Sequence, residues 1–172
     1  MSASAHPPEA LHATAIVAGE AGVVIRGASG AGKSALALAL VAAARQAGAF
    51  ARLVGDDRLL LSVANGLLIA RPHPAIAGRV ERRGQGIGAV EHEAGVVVRC
   101  VIDLVASGPP GSDVPPRLPS EAERRARLAE VSLPRLVLRV GDPAPEAARR
   151  AWAFVQELPP RPRAAPAARP TS

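Results

Sequence analysis

Residues 27–34 read GASGAGKS and hold Lys33, the only lysine in a chain that otherwise takes its positive charge from arginine. Gly27, Gly32, Lys33 and Ser34 fill the phosphate-loop pattern G-x-x-x-x-G-K-[ST] completely, with Ala28, Ser29, Gly30 and Ala31 between them. Each residue type has a mechanical reason. Glycines let the backbone curl until successive N–H groups face one phosphate, and a following helix adds its positive end. Lys33 reaches the outer phosphate oxygens and Ser34 offers a hydroxyl to Mg2+. An arginine fork is too broad to enter so closed a loop. Composition alone predicts about 6 × 10⁻⁴ chance matches to this pattern, so the match carries information. Asp56-Asp57, the only adjacent acidic pair, follows about two dozen residues later. Phosphate-loop enzymes keep acidic groups beside the metal at such a strand end. Two carboxylates this close resist ionising together, so one is expected to have a raised pKa and to carry a proton. Glu81, within RVERRGQGIGAV (79–90), is either a second metal ligand or part of a charged loop; residue chemistry alone leaves both open.

These groups need elements to hold them. AIVAG (15–19) and GVVIR (22–26) are β-branched runs around Glu20-Ala21-Gly22, expected as a hairpin or one bent strand that delivers the Gly-rich octet. A helix rich in Ala and Leu is expected from about Ser34 to Ala47, closed by Gly48. RLV (52–54) begins a strand that runs into Gly55-Asp56-Asp57, and LLLSV and LLIAR flank Ala64-Asn65-Gly66 as a hairpin. Residues 72–94 read as loops with one short helix, GVVVRCVIDLV (95–105) as a strand, and PPGSDVPPR (109–117) as a mobile loop. RLVLRV (135–140) reads as a strand, and PEAARRAWAFVQEL (145–158) as a closing helix that stops before Pro159-Pro160. Residues 118–132 fit helix or strand. Alternating strands and helices with a few hairpins describe an α/β domain with a mixed sheet.

The chain of 172 residues is the size of one domain, expected over 1–158. The Pro/Ala/Arg tail, 159–172, is expected to be disordered. The formal charge of +6 suggests a nucleic-acid partner, but three of the arginines (Arg161, Arg163, Arg169) lie in that tail. There is no tyrosine, and Phe50, Trp152 and Phe154 are the only aromatics, so stacking platforms for bases are missing. Cys100 has no partner for a disulfide and sits in an apolar run, as a buried small hydrophobe does. The N-terminal residues show no secretory pattern and no apolar stretch reaches the ~20 residues of a membrane span, so a cytoplasmic protein without membrane contact is expected.

In these motifs and their order the sequence resembles the HPr kinase/phosphorylase family, in its short form lacking the extra N-terminal domain. The family's pattern is a His-containing segment, a phosphate loop G-x-S-G-x-G-K-S, a segment like LVADD, a signature like E-I-R-G-x-G-I, and an Arg-Leu pair in a loop. Here these correspond to His12, GASGAGKS, LVGDD, ERRGQGI and Arg117-Leu118. The resemblance implies a phosphate-loop (P-loop) nucleotide-binding fold like that of phosphoenolpyruvate carboxykinases. It also implies ATP and Mg2+ as cofactors, a serine of an HPr-like phosphocarrier protein as acceptor, and assembly as a homo-oligomer. Members can run the reaction backwards, with inorganic phosphate as nucleophile and pyrophosphate as product. By the same resemblance Asp57 handles the serine proton, Lys33 holds phosphates, Ser34 and Glu81 hold Mg2+, and His12 and Arg117 complete the site. Asp56, Arg83 and Gly84 support it. Two other readings stay open from the residues alone: another P-loop kinase with a small-molecule acceptor, and a basic module that binds nucleotide or nucleic acid only as a ligand.

Overall fold

The computed structural model describes residues 8–82, 84, 86–106 and 119–160. Strands β1 (Glu9–Leu11), β2 (Thr14–Ala18) and β3 (Ala21–Gly27) open the chain. β2 and β3 form an antiparallel hairpin with Thr14 opposite Ile25 and Ala18 opposite Ala21, turning at Gly19-Glu20, one residue earlier than expected. Helix α1 (Lys33–Gln46) follows the octet. It ends where expected: Gly48 takes φ 79°, its N–H donates to Arg45 O, and the Ala49 N–H donates to Ala44 O, both at 2.9 Å. This left-handed closure satisfies the last carbonyls of the helix.

β4 (Ala51–Gly55), β5 (Leu59–Ala64) and β6 (Leu67–Pro72) come next. Asn65 and Gly66 join β5 to β6 with φ 51° and 73°, the paired positive angles that match the twist of a tight hairpin. A 3₁₀ turn covers Pro74–Ile76, and β7 (Arg79–Arg82) pairs antiparallel with β8 (Gly86–Ala89) as a separate small sheet. The expectation of loops across 72–94 is corrected here: glycines and charges hide a hairpin that pairs by backbone while burying little besides Val80. β9 (Val96–Val105), β10 (Arg125–Leu128), β11 (Val131–Arg139) and α2 (Ala144–Gln156) complete the fold. The undecided stretch 118–132 contains β10 and the start of β11. The expected loop at 109–117 and residues 161–172 of the expected tail lie outside the described residues.

The main sheet has nine strands, in the order β1-β5-β6-β9-β3-β2-β4, with β11 also on β9 and β10 on β11. β3, β9 and β11 run parallel, with Ile102 opposite both Ile25 and Leu136, and the remaining pairs are antiparallel. Beyond β4 lies the segment around His92, which bridges Leu53, while the Glu93 N–H donates to Leu53 O at 2.8 Å. Apolar residues cover both faces. On one, Leu36, Leu40 and Ala44 of α1 and Ala147 and Ala151 of α2 pack with Ile16, Ile25, Ile102 and Leu138. On the other, Val24, Val54, Leu59, Leu68 and Val101 are joined by Ala126 and Leu128 of β10. Burial from both sides is why β2, β3 and β9 read as continuous apolar runs. Cys100 is fully buried in the helix-side layer. Burial pushes its thiol up to about 12, against the opposing charge of Arg99. Among the described residues no helix is long and apolar enough to cross a membrane.

Candidate active site

The octet spans the end of β3 and the start of α1, with Gly32 capping the helix at φ 97°, a backbone region that side-chain-bearing residues avoid. The helical ladder starts with the Leu36 N–H donating to Gly32 O at 2.9 Å. First-turn amides have no partner inside their own helix, so the α1 N-terminus presents donors to the loop. Lys33 is 5% exposed, and its Nζ donates to Gly27 O and Ala28 O, each at 3.1 Å. The single ammonium is thereby held across the curl of the loop.

Asp56 and Asp57 part company. Asp56 is buried; its Oδ1 accepts from Thr14 Oγ1 at 2.6 Å, and both its oxygens accept from Ser34 Oγ at 2.9 Å. Asp57 takes φ 64° and turns outward, its side chain 63% exposed, with Oδ1 3.8 Å from His12 Nε2. The same ring nitrogen lies 3.4 Å from Lys33 Nζ, so His12 stands between the ammonium and the outer carboxylate. Instead of facing each other, the neighbouring carboxylates take different partners, one inward and one at the mouth.

A cavity of about 550 Å³ opens on these groups, lined by Gly32, Lys33, Ser34, Asp56, Asp57 and Glu81 among others. Glu81 reaches it from β7, so the outlying hairpin supplies one wall. Gly84 sits exposed in the turn of that hairpin. Arg83 and Arg117 lie outside the described residues. Among the described residues no three His, Cys, Asp or Glu side chains cluster as a metal cage. Mg2+ carried by a nucleotide needs only one or two protein carboxylates, and Asp56 and Glu81, beside the Ser34 hydroxyl on the same cavity, fit that demand.

Two features escaped the sequence. Thr14 is completely buried beneath Asp56, and nothing in its neighbourhood marks it. Asp103 on β9 receives Arg26 through Nε and Nη2, both at 2.7 Å, and Arg135 through Nε at 2.5 Å. Burial raises the Asp103 pKa, but the hydrogen bonds and charges of the two guanidinium groups outweigh it and hold the carboxyl below its usual range. This cluster ties the end of β3, one residue before the loop, to β9 and β11.

No protein-family model and no curated protein matches the chain by sequence. Solved structures do match. One is the HPr(Ser) kinase/phosphatase from Coxiella burnetii, with a TM-score of 0.63 and 24% identity over 87% of this chain and 99% of that one. At that identity the likeness is one of fold: an α/β domain with a mixed sheet. The chain has the fold of the HPr(Ser) kinase/phosphatase structure, the same family that its motifs resemble.

Proposed function

We propose that the protein is an ATP-dependent serine kinase of an HPr-like phosphocarrier protein, built on a P-loop domain. The observation that carries this reading is the single cavity on which the loop of backbone amides, Lys33, Ser34, both aspartates and Glu81 converge. Lys33 and the α1 N-terminus hold the outer phosphates of ATP. Ser34, Asp56 and Glu81 are the groups that would hold Mg2+, which would supply positive charge against the charge developing on the transferred phosphoryl group. Asp57 at the mouth accepts the proton of the acceptor serine as its oxygen bonds to the γ-phosphorus; the bond from that phosphorus to the β–γ bridging oxygen breaks and ADP leaves. An exposed carboxylate suits an acceptor presented on another protein's surface. His12, between Lys33 and Asp57, orients both. The name of the fold neighbour, a kinase/phosphatase of HPr, supports the same acceptor.

The test is phosphotransfer from ATP and Mg2+ to HPr and to an HPr variant whose acceptor serine is alanine. Phosphoserine on the first and none on the second is the expected result. ATP consumed with a small metabolite but never with intact HPr would transfer the assignment to a small-molecule kinase. Phosphorylated HPr given excess inorganic phosphate tests the reverse direction through release of pyrophosphate.

A further inference from the structure

We propose that Thr14 is a positioning residue for the metal-facing side of this site, acting through a β-bulge that turns Asp56 toward α1. The inference rests on the kinase reading above. Along β2 and β4 the register steps from Ile16 opposite Leu53 to Ala15 opposite Gly55, so Val54 is an extra residue in β4. Regular alternation from Leu53, which packs on the helix side, would send Asp56 to the far face of the sheet. The bulge prevents that. Val54 packs on the far face, and a Cβ on Gly55 would point the same way, 2.8 Å from Leu59 Cδ2 and 3.0 Å from Pro72 Cα. Two consecutive residues therefore share one face, and Asp56 returns to the helix side, where Ser34 begins α1. Bulges beside active sites commonly re-aim a side chain in this way.

Once turned, Asp56 must be held. Thr14 lies two residues before Ile16 on the same helix-side face, and its hydroxyl is the inner donor to Asp56 Oδ1. Thr14 is wholly enclosed, and β-branching limits its χ1, so the direction of that donor is fixed. The other donor, Ser34, is itself a candidate metal ligand. Thr14 is thus the anchor that leaves Asp56 oriented while the Ser34 oxygen turns to a cation. Outer partners of this kind set metal affinity rather than nucleotide affinity.

Thr14→Val keeps the shape and removes the hydroxyl; Thr14→Ala removes it with a different packing change, and Thr14→Ser restores it. ATP binding is measured in EDTA by calorimetry, and Mn2+ binding to the protein–ATP complex by electron paramagnetic resonance. Expected is an ATP affinity in EDTA within about twofold of wild type for all variants. Mn2+ should bind about tenfold more weakly to both hydroxyl-free variants and within about threefold of wild type to Thr14→Ser. Equal Mn2+ affinity in wild type and Thr14→Val overturns the role of Thr14 and leaves the kinase reading standing. An equal loss of ATP and Mn2+ affinity marks Thr14 as merely structural and also overturns it. Absence of metal-dependent ATP binding in the wild-type protein overturns both.

Discussion

At Asp57 a positive φ of 64° is combined with an exposed carboxylate. Asparagine tolerates that backbone region at least as well as aspartate, so Asp57→Asn removes the proposed base without disturbing the turn. It should lower phosphotransfer to HPr by about 10²–10⁴-fold, as loss of a general base does, while ATP affinity stays near wild type. Initial rates and a binding titration on the same preparation check this. Lys33→Arg keeps the charge, yet the guanidinium does not fit where one Nζ meets two loop carbonyls, so transfer should fall nearly as far as in Lys33→Ala. Rates of the two variants side by side decide it. The G-x-x-x-x-G-K-[ST] pattern is legible in the sequence because its residue types are tied to chemistry at fixed spacing. The division of labour between Asp56 and Asp57 is not, because it depends on one extra residue in the β2–β4 register, which no local pattern announces.

At the scale of elements, two hairpins show what sequence signals and what it hides. Asn65-Gly66 and Ala129-Glu130 both adopt two successive positive φ angles. The first pair uses residues suited to that geometry and is readable as a turn; the second uses alanine and glutamate, so β10 and the start of β11 fit helix or strand while RLVLRV (135–140) still reads as a strand. Long-range pairing and burial of Ala126, Leu128 and Leu133 impose the second turn against local preference. Replacing Ala129 by Asn and Glu130 by Gly together should therefore relieve strain and raise stability by about 1 kcal/mol, measured as a higher urea midpoint with an unchanged slope. α1 is the opposite case: its Ala/Leu content marks its body and Gly48 its end. The small β7–β8 hairpin leaves no period-2 signal in the sequence because it is held by backbone pairing and buries little besides Val80.

At the scale of the whole molecule, two buried groups set opposite limits on stability with pH. Asp103 has a lowered pKa in the fold, so its stabilising effect is present above the ordinary aspartate value of about 3.9 and is lost as pH falls through the folded value. Cys100 keeps its proton in the fold up to about 12, while the unfolded thiol ionises near 9.0. Stability therefore declines as pH rises between those values. Urea midpoints across the pH range should show a plateau flanked by both declines, and Cys100→Ala should flatten the alkaline one alone. The layered α/β plan was visible in the sequence through the spacing of apolar runs, whereas the Arg26–Asp103–Arg135 cluster joins residues on three strands and could not be read from any one of them. The borders of the main sheet carry one more consequence. At the β4 border His92 and Glu93 fasten themselves to Leu53, at the β1 border the rim is three residues long, and the third border is the β10–β11 arm, where Arg125 and Arg127 are exposed. A stray extended polypeptide finds little open backbone at the first two and charge along the third, so the protein should resist fibril-like self-association even when concentrated.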